Sequence, residues 1–162
     1  MIKLVEIEQK FLYEKIPYEE FKLEQHTVIY RKYLAVDPEV RINKRCFDNG
    51  EERYHLTVKS NGQLIRKEIK IKISKEQYEA LSSMKDKENI VLDIYEFRLD
   101  EHHSICFKEG RNIDIQFAEI EYETMEDKER FAKRLEQFTF LTKEVTFDER
   151  YYMKNIWEEF HG

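Results

Sequence analysis

The feature that most constrains this chain is a period-two alternation of charged and apolar residues, repeated in segment after segment. In residues 4–12, Glu6, Glu8 and Lys10 share one face of an extended chain, and Val5, Ile7 and Phe11 share the other. A helix would scatter these residues around its axis, whereas a strand, whose side chains alternate, keeps the two sets apart. The alternation returns in residues 64–73, where Arg66, Glu68 and Lys70 oppose Ile65, Ile69 and Ile71. Residues 27–35, 40–43, 53–59, 89–99, 104–108 and 113–123 read as further strands, about eight in all. Asp37-Pro38, Asn49-Gly50, Asn61-Gly62 and Glu109-Gly110 supply the turns between them.

Helices are few. Pro17 suits a first helical turn, which predicts a short helix over 17–25, and Ser74-Lys75-Glu76-Gln77 fits a capping box opening a helix to about Met84. A charged helix is expected over 124–137 with Phe131, Leu135 and Phe138 on its apolar side. A helical or turn segment over 148–160 carries Tyr151, Tyr152 and Trp157. Repeated hairpins imply an α+β, mainly β chain: an eight-stranded antiparallel β-barrel with a few flanking helices. Periodicity alone leaves two meanings for the charged faces. On an open sheet they are simply solvated. Inside a closed barrel they form a corridor of carboxylates and cations, costly unless metal ions and polyanions neutralise it.

Composition narrows the function. With 162 residues, 41% of them apolar, and only four Gly and two Pro, residues 1–162 read as a single folded domain without a linker. Thirty-four acidic against 28 basic residues give a net charge of -6, which argues against nonspecific nucleic-acid binding while leaving room for a local basic cavity. No apolar run approaches the roughly 18 residues of a membrane span, and Met1-Ile2-Lys3-Leu4-Val5-Glu6 reaches acidic residues too soon for a signal peptide, so a cytoplasmic protein is expected. Cys46 and Cys106 read as ordinary buried thiols, and His102-His103 as an exposed pair in a turn. Neither a Gly-rich phosphate loop nor a Ser/His/Asp or Cys/His nucleophile has a local signature.

The sharpest motif is Glu6-Ile7-Glu8-Gln9-Lys10. Alternate strand residues project to one face about 6–7 Å apart, so two carboxylates can share a hard divalent cation while the ammonium beyond them meets a phosphate on that cation. Oxygen ligands suit Mg²⁺ or Mn²⁺. The motif resembles the signature of the CYTH superfamily, the triphosphate tunnel metalloenzymes, which includes class IV adenylate cyclases, thiamine triphosphatases and inorganic triphosphatases. Further similarities follow in the family's order: Tyr30-Arg31 with Tyr33, Val40-Arg41-Ile42, Leu56-Thr57-Val58-Lys59, Arg66-Lys67-Glu68, Ala118-Glu119-Ile120-Glu121, and Val145-Thr146 with Asp148 and Arg150-Tyr151.

The resemblance implies an eight-stranded tunnel in which Glu6, Glu8, Glu119 and Glu121, with Glu68 as a further candidate, hold Mg²⁺ or Mn²⁺. Lys10, Arg41, Lys59 and Arg66 would grip the triphosphate, and Arg150 joins them as a candidate, with Glu6, Glu8 and Lys10 expected to carry catalysis. The departures are Asn43 in place of a second arginine (Arg45 lies two residues on), Lys70 in place of an acid, Asp93 and Tyr95 aligned with a Lys-x-Arg pair, and Cys106 or Ser104 in place of an acid. The implied function is metal-dependent hydrolysis of inorganic triphosphate or an organic or nucleoside triphosphate. The alternatives are an adenylate cyclase of the same fold and a catalytically degenerate polyphosphate- or nucleotide-binding protein. The expected partner is a triphosphate-containing small molecule, with neither nucleic acid nor membrane, bound by a monomer or homodimer.

Overall fold

The computed structural model describes residues 4–162; the reading of Met1, Ile2 and Lys3 lies outside them. Strands β1 (Val5–Tyr13), β2 (Leu23–Val36), β3 (Glu39–Phe47), β4 (Glu52–Lys59) and β5 (Ile65–Lys72) precede helix α1 (Lys75–Ser83). Strands β6 (Ile90–Arg98), β7 (Ser104–Gly110) and β8 (Gln116–Tyr122) precede α2 (Met125–Ala132), and β9 (Leu141–Glu144) and α3 (Met153–His161) complete the chain. The order β5-β4-β3-β2-β6-β7-β8-β1 closes through a β5–β1 pairing, giving the expected eight-stranded antiparallel barrel. β9 adds outside the ring, against the end of β1.

Closure sorts the alternation into an inside and an outside. Ile42 and Tyr54, on the outer face of β3 and β4, pack under Tyr78 of α1, whose start is the expected capping box. Ile7, Phe11, Ile105, Phe107, Ala118 and Ile120, on the outer face of β1, β7 and β8, pack under Phe131, Phe138 and Phe140. The third cluster differs in place. Ile29, Tyr33, Leu92 and Phe117 meet Met153, Ile156 and Trp157, so α3 packs against inward-facing strand residues and fills one end of the barrel.

Three local expectations are corrected, and one strand was not foreseen. Residues 17–25 do not form a helix: the Pro17 carbonyl accepts the amides of Glu20 and Phe21 in one isolated turn, and from Leu23 the chain is already paired with β6. Ladder pairing outweighs the short helical spacing. The helix over 124–137 stops at Ala132 and resumes as a 3₁₀ turn at Leu135–Gln137, which brings the Phe138 ring onto Phe131 with centroids 5.6 Å apart. The strand over 113–123 begins only at Gln116, because after Gly110 the chain doubles back so tightly that a Cβ there would sit 2.1 Å from the Ile113 carbonyl oxygen. Strand β9, four residues long and half charged, carries too short a pattern to read. Among the described residues no helix is long and apolar enough to cross a membrane.

Candidate functional site: a charged barrel interior

The even-numbered residues of β1 point inward, and register decides what they meet. Glu6 lies opposite Arg66 of β5, while Glu8 lies opposite Glu121 and Lys10 opposite Glu119 of β8. Glu6, Glu8 and Glu121 each present an oxygen, and these atoms lie within 4.8 Å of one another. That is close to the spacing imposed by one octahedral cation with ligands at about 2.1 Å. Glu6 and Glu8 are buried, and an all-oxygen donor set is the chemistry of Mg²⁺ or Mn²⁺, so these three residues fit such a cation.

Glu119 and Glu68, the other two metal candidates, stand apart from this trio. Glu119 accepts Lys108 at 2.8 Å and faces Lys10 at 3.9 Å, and Glu68 pairs with Lys59 at 3.2 Å. Both line the same cavity, a space of about 570 Å³.

The cations hold the acids in place. Lys59 reaches both oxygens of Glu6, at 3.0 and 2.9 Å, and Arg66 reaches Glu6 at 3.0 Å, Glu8 at 3.4 Å and Glu39 at 3.1 Å. Burial opposes the charge on Glu6, but Lys59 and Arg66 outweigh it and hold that carboxyl far below the usual range. Glu8 goes the other way. Burial, with Glu119 and Glu6 nearby, pushes it up to about 8. One member of the acidic trio therefore strongly prefers neutrality unless a positive charge joins it.

Lys10 is fixed from the far side. Its Nζ donates to the Tyr151 carbonyl at 2.7 Å and lies over the Phe117 ring, and burial lowers its proton affinity. Arg31 and Arg41 are buried side by side; Arg31 donates to Asn43 Oδ1 at 3.0 Å and Arg41 to the Tyr33 hydroxyl at 3.3 Å. Arg31 Nη1 and Arg41 Nε have no hydrogen-bond partner. Buried guanidinium N–H groups left open are expensive, and an anion in the cavity would complete them.

Among the described residues, nine Lys or Arg side chains and five Glu side chains line this cavity, in a protein whose net charge is -6. Positive charge is thus gathered inside the barrel, where low-dielectric walls strengthen its field.

Solved structures share this architecture. The inorganic triphosphatase NE1496 is similar over 96% of this chain and 95% of its own, with a TM-score of 0.60 and 23% identity. The PH1819 protein of Pyrococcus horikoshii OT3 gives a TM-score of 0.67 with 21% identity over 95% of this chain and 99% of its own. HpAC1 from Hippeastrum, described as having a dominant triphosphatase activity, gives 0.52 with 14% identity over 84% and 86%. The chain shares the fold of these proteins, a closed eight-stranded antiparallel barrel. No protein-family model matches the sequence, and no curated protein matches it.

Within the tunnel, the structure brings together Glu6, Glu8, Lys10, Arg41, Lys59, Arg66, Glu68, Glu119 and Glu121. It leaves Arg150 outside that lining, exposed and paired with Asp148 at 2.7 Å, because the 3₁₀ turn at Glu149–Tyr151 directs only the Tyr151 carbonyl at Lys10. The alignment of Asp93 and Tyr95 with inward positions is corrected. Leu92 and Ile94 belong to the interior cluster, while Asp93 pairs with Arg111 and His26, and Tyr95 stacks on His26, all on the outer face. His103 is not exposed: its ring is held between Asp100 and Asp127, tying the β6–β7 turn to α2.

The sequence reading noted Arg31 and Arg45 without giving them a site role and passed over Lys108, and all three line the cavity. Arg31 was hidden because its neighbours on the same face, Ile29 and Tyr33, are apolar; the signal for Lys108 was its inward parity with Cys106.

Proposed function

We propose that the tunnel is a metal-dependent triphosphatase site cleaving the terminal phosphate of a triphosphate. The observation that carries this reading is the pairing of a three-carboxylate cluster with buried, unsatisfied arginine N–H groups in one cavity. Glu6, Glu8 and Glu121 would hold Mg²⁺ or Mn²⁺, which when bound supplies charge neutralisation at the phosphate oxygens and an activated water.

The chain's own residues do the positioning. Arg31 and Arg41 offer open donors that orient phosphate oxygens, and Arg fits such oxygens in a planar fork. Lys59 and Arg66, which neutralise Glu6 in the structure, become available to phosphate once those carboxylates have another positive partner. Lys10, anchored by Tyr151 and Glu119, contributes a fixed ammonium near the plugged end. The α3 segment closes that end against water. Phosphoryl transfer needs little covalent help from a protein, so positioning and electrostatics of this kind suffice. A cytoplasmic setting belongs to the same reading, since both cysteines are free thiols.

The test is release of phosphate and pyrophosphate from tripolyphosphate, ATP and thiamine triphosphate with Mg²⁺ or Mn²⁺, with a chelator control. Metal-dependent orthophosphate release supports hydrolysis. Pyrophosphate with cyclic nucleotide from ATP would instead identify a cyclase, and tight binding with neither product a non-catalytic phosphate receptor.

A further inference from the structure

A second cavity lies outside the tunnel. It opens at the plugged end, between α3 and the barrel rim, with a volume of about 630 Å³, and among the described residues it shares no lining side chain with the tunnel. That volume is in the range of small-molecule sites. Its apolar wall comes from three segments: Ile113 and Ile115 precede β8, Tyr151 belongs to the 3₁₀ turn, and Ile156 and Phe160 belong to α3. Ile113, Ile115, Tyr151 and Phe160 are half-buried, packed against the apolar cluster around α3 on one side and lining the cavity on the other. The wall is preformed. The Gly110 amide donates to the Ile115 carbonyl at 2.9 Å, and the Tyr151 amide to the Asp148 carbonyl at 2.9 Å.

The rim decides the charge of what fits. Asp114 and Glu159 line the cavity, and among the described residues neither makes an ion pair. Arg150 is the one cation among the described lining residues, and Asp148 already holds it through two bonds, at 3.0 and 2.7 Å. An anion would meet two uncompensated carboxylates, the reverse of the tunnel, where cations outnumber acids. A cation with an apolar body finds a complementary surface twice, hydrocarbon on the wall and negative charge on the rim. Tyr151 and Phe160 add ring faces of the kind that attract an ammonium.

We infer that this cavity is a second binding site, for a small organic ammonium whose apolar body packs on Ile113, Ile115, Ile156 and Phe160 and whose charge faces Asp114 and Glu159. The site stands independently of the triphosphatase reading. One residue joins it to the tunnel: Tyr151 lines this cavity while its carbonyl accepts Lys10 Nζ at 2.7 Å. An occupant packed on Tyr151 therefore steadies the turn that holds Lys10. Arg150, which the motif resemblance placed at the triphosphate, belongs to this lining instead.

The experiment titrates phenethylamine, phenethyl alcohol and phenylacetate into the full chain and follows backbone amides by NMR. The three probes share a ring and differ in charge. The amine should shift residues 113–116 and 150–160 and bind about tenfold more tightly than the alcohol, the scale of two exposed ion pairs, with phenylacetate the weakest. D114N/E159Q should bring the amine to the level of the alcohol and leave denaturant unfolding unchanged, because both carboxylates are exposed. Equal affinities for amine and alcohol in wild type, an amine preference that survives in the variant, or shifts confined to the tunnel residues Glu6, Glu8 and Glu121 would overturn the site.

The link to the tunnel has its own readout, independent of turnover. The Tyr151 and Tyr152 amides donate to the Asp148 and Glu149 carbonyls, and saturating phenethylamine should slow their hydrogen exchange about threefold or more in wild type and not in D114N/E159Q. Unchanged exchange in wild type at saturation would overturn the link through Tyr151.

Discussion

The barrel interior has two halves, and they are filled by opposite chemistry. Around α3, the inward residues Ile29, Tyr33, Leu92 and Phe117 close on Met153, Ile156 and Trp157 as an ordinary apolar core. Across the barrel, the inward residues of β1, β3, β4 and β5 are mostly charged, with Glu6, Glu8, Lys59 and Arg66 held in ion pairs. Burying apolar surface stabilises a fold at about 25 cal/mol per Å². Buried ion pairs rarely stabilise more than well-packed apolar residues would. The same backbone thus carries one half that holds it together and one that gathers charge at a desolvation cost.

The comparison is broken or sharpened by substitutions in each half. Trp157→Ala should cost about 3–5 kcal/mol of stability, as large aromatic truncations in cores do. Denaturant unfolding checks this, and a loss below about 1 kcal/mol would mean that α3 is only a surface attachment. Glu8→Gln should do the reverse, lowering turnover by about 10²–10³-fold, the scale for loss of one preorganised charged group, while leaving unfolding almost unchanged. Since burial and two neighbouring carboxylates already push Glu8 towards neutrality, an amide there adds little strain. A marked fall in stability would count against the functional half.

Smaller effects follow. Arg41→Ala should weaken tripolyphosphate binding about tenfold to a hundredfold, the worth of a hydrogen bond to a charged group. Calorimetric titration measures it, and unchanged affinity would leave the open Arg41 Nε without a role. The smallest effect concerns pH. His55 titrates near 4 when folded against an ordinary 6.5, so the unfolded chain binds more protons between those values. Its contribution to stability is full above 6.5 and is lost as pH falls towards 4 and below. His55→Asn should therefore flatten part of the acid-side decline in stability, and a wild-type NMR midpoint near 6.5 would mean that burial and the neighbouring Lys70, Arg45, Arg53 and Lys72 do not act on it.

Much of this was legible in the residues themselves. Alternation in β1 and β5 identifies strands without reference to anything else, because parity is a local property. Glu119 and Glu121 share a parity and a motif, yet one joins Glu6 and Glu8 while the other is held by Lys108 and Lys10. Only the β1–β8 register separates them, and register is set by closure of the whole barrel. The same limit explains Asp93 and Tyr95, placed inward by motif spacing and outward by the ladder with β2. Arg31 escaped because a lone cation between apolar neighbours looks like a core face. The turn at Pro17 was misread as a helix because local spacing carries no information about the β6 strand waiting beyond it.

The most direct test of the account is an anomalous-scattering map from crystals grown with Mn²⁺ and tripolyphosphate. The account predicts a Mn²⁺ peak within about 2.2 Å of oxygens from Glu6, Glu8 and Glu121, with phosphate oxygens on Arg31 and Arg41. A tunnel whose carboxylates keep their Lys59 and Arg66 pairs, with metal and phosphate bound elsewhere, would contradict it.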